Sequence, residues 1–133
     1  MTSFMRSLSV LLGAAIVLSF SSVAQGGEKY LQVGTDSDGD AFMLDTQTMG
    51  RKERRFGEVL KVYLLKKDLM FEYMLRASCG DERLWMVGSR VYNGNAVKVS
   101  EERHNKELPA RADTPSANAM KHYCQSIGAR GWL

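Results

Sequence analysis

The side chains best placed to do chemistry form one charged run, Arg51-Lys52-Glu53-Arg54-Arg55, in which four of five residues are cationic. An arginine binds a carboxylate or a sulfate through two parallel hydrogen bonds, so such a run suits an anionic surface. The candidate anionic contacts are therefore Arg51, Lys52, Arg54 and Arg55. A solvated loop that leads into the next strand is the simpler interpretation, and the sequence leaves both open.

A second charged segment, Asp36-Ser37-Asp38-Gly39-Asp40, crowds three carboxylates together and raises the question of calcium. An EF-hand loop that began at Asp36 would need glycine at its sixth position and glutamate at its twelfth. Those positions hold Ala41 and Gln47. The segment is better interpreted as a hairpin turn, and only weak, millimolar calcium binding stays open. We predict no metal site and no cofactor.

The only two cysteines, Cys79 and Cys124, lack the partners that metal binding or catalysis requires. There is no CxxC motif, and His122 lies about 200° around a helix from Cys124, so the two side chains point apart. Phosphate-binding loops, nucleophile elbows and HExxH motifs are also missing from the sequence. We predict that the chain is not an enzyme, that it has no catalytic residue, and that the two cysteines form a disulfide.

The N-terminal segment 1–24 has the three parts of a secretory signal peptide. Arg6 precedes an apolar run from Leu8 to Phe20, and Ser22-Val23-Ala24 fits the cleavage rule, with Gln25 as the new N-terminus. The run is shorter than the roughly 20 residues of a membrane-spanning helix, although a retained N-terminal anchor is the alternative. We expect export to the periplasm or beyond, where cysteines pair, and no lipid anchor, because the segment holds no cysteine.

Residues 25–133 suit a single domain. The formal net charge of the whole chain is +3, which is too weak to require a nucleic-acid partner. No second apolar run is long enough to cross a bilayer, so the mature chain should contain no transmembrane segment. A protein or an anionic glycan is the expected partner. The oligomeric state does not follow from the sequence.

Alternation of apolar residues and turn signals predicts about six strands and one helix. The predicted strands are Tyr30–Gly34, Ala41–Asp45, Gly57–Lys67, Leu69–Cys79, Leu84–Tyr92 and Ala96–Ser100. Thr114-Pro115 marks the start of the helix, and Gly128 its end. Residues 101–112 show no period and include a proline, so we expect a loop there. The tail 129–133 is expected to be loose.

The apolar residues of the fourth predicted strand and of the helix indicate how the two elements meet. Every second residue from Leu69 to Cys79 is apolar or small, and the residues between them face away. On the helix, one stripe carries Ala117, Met120, Cys124 and Ile127. Both cysteines then face the core. The predicted fold is α+β: an antiparallel sheet of about six strands, with a C-terminal helix packed on one face and tied by a disulfide.

A series of motifs in order resembles the bacterial surface-adhesin protein E-like family. The motifs are Val33-Gly34-Thr35-Asp36-Ser37-Asp38-Gly39-Asp40, Leu44-Asp45-Thr46, Ala77-Ser78-Cys79, Val91-Tyr92-Asn93-Gly94-Asn95 and Tyr123-Cys124. The resemblance covers nearly all of residues 25–133 and implies an antiparallel sheet with a disulfide-attached C-terminal helix. It also implies adhesion to host matrix proteins. The matching positions are structural and assign no binding residue. Adhesins of the family are lipid-anchored, which this signal peptide does not provide for.

Three hypotheses for the function follow. The first is an exported, non-enzymatic interaction domain of the bacterial envelope that works by surface contact, with an adhesin-like role as its more specific form. The second is a periplasmic inhibitor or accessory protein of an envelope enzyme, which should present a protruding loop. The third is a small hydrolase or a ligand-binding pocket protein, which should present a cleft with perturbed titratable groups.

Overall fold

The computed structural model describes residues 29–133 and shows one antiparallel sheet with one helix packed on it. The predicted fold class is confirmed, and the signal peptide predicted for residues 1–24 lies outside the described residues. The elements are β1 (Tyr30–Thr35), β2 (Ala41–Asp45), β3 (Arg51–Glu53), β4 (Gly57–Lys66), β5 (Leu69–Ser78), β6 (Arg83–Tyr92), β7 (Lys98–Leu108) and α1 (Pro115–Ser126).

The strand order in the sheet is β1-β2-β4-β5-β6-β7, while the short β3 pairs with the first residues of β4. Tight turns join most neighbours, which makes the pairs antiparallel. Between β6 and β7, the Asn93 side-chain oxygen accepts the N–H groups of Asn95 and Val97, at 2.9 and 3.1 Å. Such side-chain bonds explain why this turn was readable from the sequence.

The predicted loop at residues 101–112 is wrong, because β7 continues to Leu108. This edge strand has no apolar period, since ion pairs with β6 take the place of apolar packing. Arg83 donates two hydrogen bonds to the Glu107 carboxylate, at 2.8 and 2.9 Å, and Arg90 donates one to Glu101 at 2.7 Å. Opposite charges across a strand pair stabilise it, and charges on an edge strand discourage aggregation. Alternation of apolar residues therefore could not reveal β7.

The helix begins where it was predicted to begin. Thr114 Oγ1 accepts the N–H of Ala117 at 3.1 Å, and Pro115 occupies the first turn. The helix ends at Ser126, Ile127 is its C-cap, and Gly128 follows with φ +69°, a conformation that favours glycine. The prediction that Ile127 faces the core is wrong, since its side chain is 57% exposed. The apolar stripe of the helix therefore does not extend to Ile127, which lies just beyond the last helical residue.

The main core lies between α1 and the sheet. Its buried members are Val33, Leu44, Leu60, Val62, Leu75, Leu84, Ala119, Met120, Cys124 and Trp132. Trp132 shows that the predicted loose tail is wrong. Its indole N–H donates to the Cys79 carbonyl at 2.9 Å, and the Arg111 guanidinium lies 3.6 Å from the ring centroid. The tail closes the core because one aromatic residue buries a large apolar area.

A second, smaller core covers the opposite face of the sheet. It consists of Phe56, Val59, Met74 and Val87. The turn between β3 and β4 carries Phe56 across the sheet onto Gly88, where an added Cβ atom would lie 2.3 Å from the ring. Strand β5 is therefore buried on both faces in its middle, where Met74 packs into this second core and Leu75 into the main one.

The predicted disulfide is confirmed. Cys79 follows the end of β5, Cys124 lies on α1, and the bridge joins residues 45 positions apart in the sequence. Cys124 is fully buried beneath the helix. A cross-link of this span removes conformational freedom from the unfolded chain, so it stabilises the docking of the helix onto the sheet.

Replacing both Cys79 and Cys124 by Ala should lower the free energy of unfolding by about 2–5 kcal/mol, because the unfolded chain regains its freedom. Urea denaturation followed by circular dichroism measures the change, and the sheet signal of the folded variant should persist. Reduction of the wild type with dithiothreitol is the control and should cause a similar loss. Two free thiols in denatured, unreduced protein exported by its host would contradict the bridge.

One buried hydroxyl group in the loop before β3 has no hydrogen-bond partner among the described residues, that of Thr48. Thr48→Val keeps the shape and removes the unsatisfied group, so it should raise the free energy of unfolding by about 1 kcal/mol. The matched control is Thr46→Val, since Thr46 Oγ1 donates to the Lys29 carbonyl at 2.9 Å. That variant should be destabilised. Equal effects of the two substitutions in urea denaturation would refute this prediction.

Candidate functional site

The predicted basic run forms β3 and the turn that follows it. Glu53, its only acid, folds inward: one carboxylate oxygen accepts the backbone N–H groups of Arg55 and Phe56, at 2.7 and 3.2 Å. The other oxygen lies 2.7 Å from a guanidinium nitrogen of Arg90. The acid thereby shapes the turn and is withdrawn from the surface, with its side chain only 13% exposed.

Arg90 is the centre of a buried ionic network on the face opposite the helix. Its guanidinium contacts the carboxylates of Glu53 and Glu101 at 2.7 Å each and that of Glu72 at 3.3 Å. The same guanidinium lies 5.1 Å from the centroid of the Phe56 ring. Because these residues come from different strands or turns, the network ties β3, β5, β6 and β7 together.

Two tyrosines complete this network around Glu72. The hydroxyls of Tyr63 and Tyr92 donate to its carboxylate at 2.8 and 3.2 Å. Burial, followed by the nearby charge of Glu72, raises the pKa of both hydroxyls above the ordinary value. Burial acts to lower the pKa of Arg90, but hydrogen bonds to Glu101 and Glu53 outweigh it and raise this pKa. The tyrosines stay protonated and Arg90 stays charged at neutral pH, which suits a structural role.

The network determines which of the predicted anionic contacts are available. Arg55 forms an ion pair with Glu101 at 3.0 Å. Arg51, Lys52 and Arg54 are exposed, and none of them forms an ion pair within residues 29–133. Of the four predicted contacts, Arg55 is therefore engaged in an ion pair, whereas Arg51, Lys52 and Arg54 face solvent. Whether they bind an anionic partner stays a prediction.

Two further arginines, missed in the sequence, approach the same turn. The Arg103 guanidinium lies 5.3 Å from the centroid of the Phe56 ring, and Arg76 Nη2 donates to the Phe56 carbonyl at 3.3 Å. Both side chains are exposed. They come from β7 and β5, so only the pairing of strands could bring them here. We call the set of Arg51, Lys52, Arg54, Arg76 and Arg103 the basic surface; it extends around the β3 edge, because Arg51 and Lys52 point to opposite sides of the strand.

The three aspartates of the first hairpin surround a lysine. Lys66 Nζ lies 2.6, 2.7 and 3.1 Å from the carboxylates of Asp36, Asp38 and Asp40. Asp36 also accepts the N–H groups of the other two at 2.9 Å each, which forms the predicted turn. The hydrogen bond from Lys66 is the main cause that lowers the pKa of Asp36. Lys66 thus supplies the positive charge that a calcium ion would bring.

A serine and a histidine meet on the helix side of the sheet. Ser89 Oγ lies 2.9 Å from Nε2 of His104, and the Glu102 carboxylate lies 3.7 Å from the same nitrogen. In a catalytic triad the acid orients the histidine through its other ring nitrogen. Glu102 therefore does not have the position of a triad acid. The pair was missed because residues 101–112 were predicted to be a loop.

An open cavity of about 330 Å³ lies where α1 meets β4 and β5. Its lining residues are Gly50, Glu58, Val59, Leu60, Leu75, Arg76, Ala77, Ser78 and Tyr123. Arg76 belongs to both the cavity and the basic surface, so the two features adjoin. Neither the cavity nor its polar lining was predicted, because the lining residues come from four separate parts of the chain.

The ionisation of Glu101 predicts how stability depends on pH. Hydrogen bonds from Arg90 and then Lys98 lower the pKa of Glu101 from 4.5 to about 2. Since this pKa is lower in the folded than in the unfolded chain, the charged carboxylate stabilises the fold above about pH 4.5, and the contribution is lost as the pH falls towards 2.

In Glu101→Gln, the free energy of unfolding should therefore fall less steeply between pH 4.5 and 2 than in the wild type. Urea denaturation over a series of pH values measures the slope. Glu102→Gln removes an exposed carboxylate next in sequence and serves as the control, with the wild-type slope. Equal slopes for all three proteins would show that Glu101 does not carry this dependence.

Within residues 29–133, no helix is both long and apolar enough to cross a bilayer. No protein-family model, no curated protein and no solved structure matches the chain. The resemblance to the surface-adhesin protein E-like family therefore stays a prediction that rests on its motifs, and the functional argument rests on the site itself.

Proposed function

We propose that the chain is an exported, non-enzymatic interaction domain that binds an anionic glycan through the basic surface. One observation carries this proposal: two acids next to the surface, Glu53 and Glu101, are already engaged by arginines, while Glu58, opposite Lys52 on β4, stays exposed. Glu53 is bound by Arg90, and Glu101 is bound by Arg90 and Arg55. The exposed cations of the basic surface therefore keep their charge for an external partner.

The rigidity of the surface supports binding of a polymer with repeated charges. Arg51 and Lys52 lie on β3, which is paired with β4, and the Phe56 ring packs beneath Arg103. Strand pairing already orders the backbone of these cations, so binding has to fix only their side chains, and arginine pairs with carboxylate or sulfate through two hydrogen bonds. Screening limits each cation to about 8 Å at physiological salt, so the partner must lie directly on the surface.

Two features favour surface contact over the alternative hypotheses. An inhibitor should insert a protruding loop, but the turn after β3 folds back onto the sheet and buries Phe56. A hydrolase should present an oriented nucleophile, but Glu102 approaches the same nitrogen of His104 as Ser89 does. The disulfide supports export to an oxidising compartment, the periplasm or the exterior. An adhesin-like role on the cell surface is the more specific form of this proposal.

The test is binding to immobilised heparin as a model anionic glycan. A triple variant, Arg51→Gln, Lys52→Gln and Arg54→Gln, should elute at lower salt, with a flatter salt dependence and about tenfold weaker affinity at low salt. The control replaces three exposed lysines remote in sequence from the run, Lys67, Lys106 and Lys121, by Gln and has the same net charge.

The comparison separates a local site from the overall charge. The control triple variant should elute close to the wild type. Arg55→Gln breaks an ion pair with Glu101 rather than an exposed contact, so it should affect stability more than elution. Equal elution of the two triple variants would mean that net charge alone governs retention, and the proposal would then be wrong.

A further inference from the structure

The cavity beside the basic surface arises where two strands separate. The pairing of β4 with β5 ends at Leu60 and Leu75, although β4 begins at Gly57 and β5 continues to Ser78. The Arg76 guanidinium crosses between the two segments, since it donates to the Phe56 carbonyl at 3.3 Å. The cavity thus results from the separation of β4 and β5, and Arg76 lies on the side of it that adjoins the basic surface.

The polar groups of the cavity lining are both donors and acceptors. Arg76 is a cation, Glu58 is an exposed carboxylate, and Ser78 and Tyr123 bring hydroxyls. The Tyr123 hydroxyl has no hydrogen bond to any residue in the described part of the chain. A single hydrogen bond to a main-chain carbonyl, that of Phe56, engages the Arg76 side chain within the same range. Both groups therefore keep hydrogen-bonding capacity for a ligand.

The position of the Tyr123 ring depends on a glycine. Gly50 has φ +73°, and a Cβ atom at this residue would lie 2.7 Å from the Tyr123 hydroxyl oxygen. The ring lies close against the backbone there, which places an aromatic surface and its hydroxyl at the cavity wall. An aromatic ring beside mixed donors and acceptors suits a ligand that has both apolar C–H faces and hydroxyl groups.

We infer that the cavity binds one uronate unit of an acidic polysaccharide. Arg76 takes the carboxylate, while Glu58 and the Tyr123 hydroxyl bond hydroxyls of the sugar. A volume of about 330 Å³ is near the lower end of the roughly 300–1,000 Å³ of ligand pockets, which suits a single small unit. The inference rests on the proposed function, because the basic surface would hold the neighbouring charges of the same polymer.

The chemistry of the lining favours a sugar acid over an acidic peptide. An acidic side chain offers a carboxylate to Arg76, but the same unit has no hydroxyl group to donate to Glu58. A uronate has a carboxylate for Arg76 and hydroxyl donors for Glu58, so it satisfies both. A sulfated polymer without carboxylates would bind the basic surface without needing the cavity. These differences define three probes: an oligogalacturonate, dextran sulfate and polyglutamate.

The experiment measures the affinity of each probe by calorimetry for the full mature chain and for Tyr123→Phe. Loss of the hydroxyl should weaken oligogalacturonate binding about tenfold and leave dextran sulfate binding unchanged. Tyr73→Phe, which changes a half-buried tyrosine outside the cavity, is the matched control and should bind both like the wild type. Arg76→Gln should weaken oligogalacturonate more than Arg103→Gln, because only Arg76 lines the cavity.

Chemical-shift mapping with oligogalacturonate gives a second measurement that needs no variant. The largest changes should fall on residues 50, 58–60, 75–78 and 123. If dextran sulfate binds but Tyr123→Phe leaves oligogalacturonate unaffected, the inference is wrong while the proposed function stands. Polyglutamate that gives the same cavity shifts as oligogalacturonate would assign the cavity to acidic peptides instead. Failure of all three probes to bind would overturn both.

Discussion

The buried guanidinium of Arg90 is the interaction on which the rest of the molecule depends. A charge inside a protein is tolerated only when partners surround it, and removing one partner of a buried pair costs about 3–5 kcal/mol. Glu53, Glu72 and Glu101 are those partners, and each is held by a different strand. Because Glu53 must reach Arg90, the turn after β3 folds over the sheet and carries Phe56 into the second core. The charge of Arg90 therefore determines the arrangement of the sheet face opposite the helix.

The same constraint separates the charges of the protein and so produces its candidate function. Glu53 and Glu101 turn inward to neutralise Arg90, whereas Arg51, Lys52 and Arg54 have no ion pair among the described residues and stay in solvent. The surface is basic although the whole chain has a net charge of only +3. A weak overall charge with a strong local one favours contact with a particular anionic ligand over general attraction to any polyanion.

The helix and the disulfide stabilise the opposite face, and their arrangement leaves the cavity at one end of the sheet. Cys124 and Met120 are fully buried against the strands, and Trp132 closes the core from the tail. Tyr123, next to the bridged cysteine, turns instead to the cavity wall. The disulfide thus places a potential ligand-binding hydroxyl as a consequence of docking the helix. The attachment of α1 at Cys124 therefore contributes both to the stability of the fold and to the lining of the cavity.

The sequence by itself determined the features that depend on neighbouring residues: the turns, the ends of the helix at Thr114 and Gly128, and the cysteine pair. Local hydrogen bonds and a single possible pairing make these readable. Only the tertiary structure decided the features that depend on distant partners. Strand β7 is held by ion pairs across the sheet, which leave no apolar period. The roles of Glu53, Arg76 and Arg103 could not be predicted from the sequence either. A charged residue is normally interpreted as solvent-exposed, and only the strand pairing shows which charges it contacts.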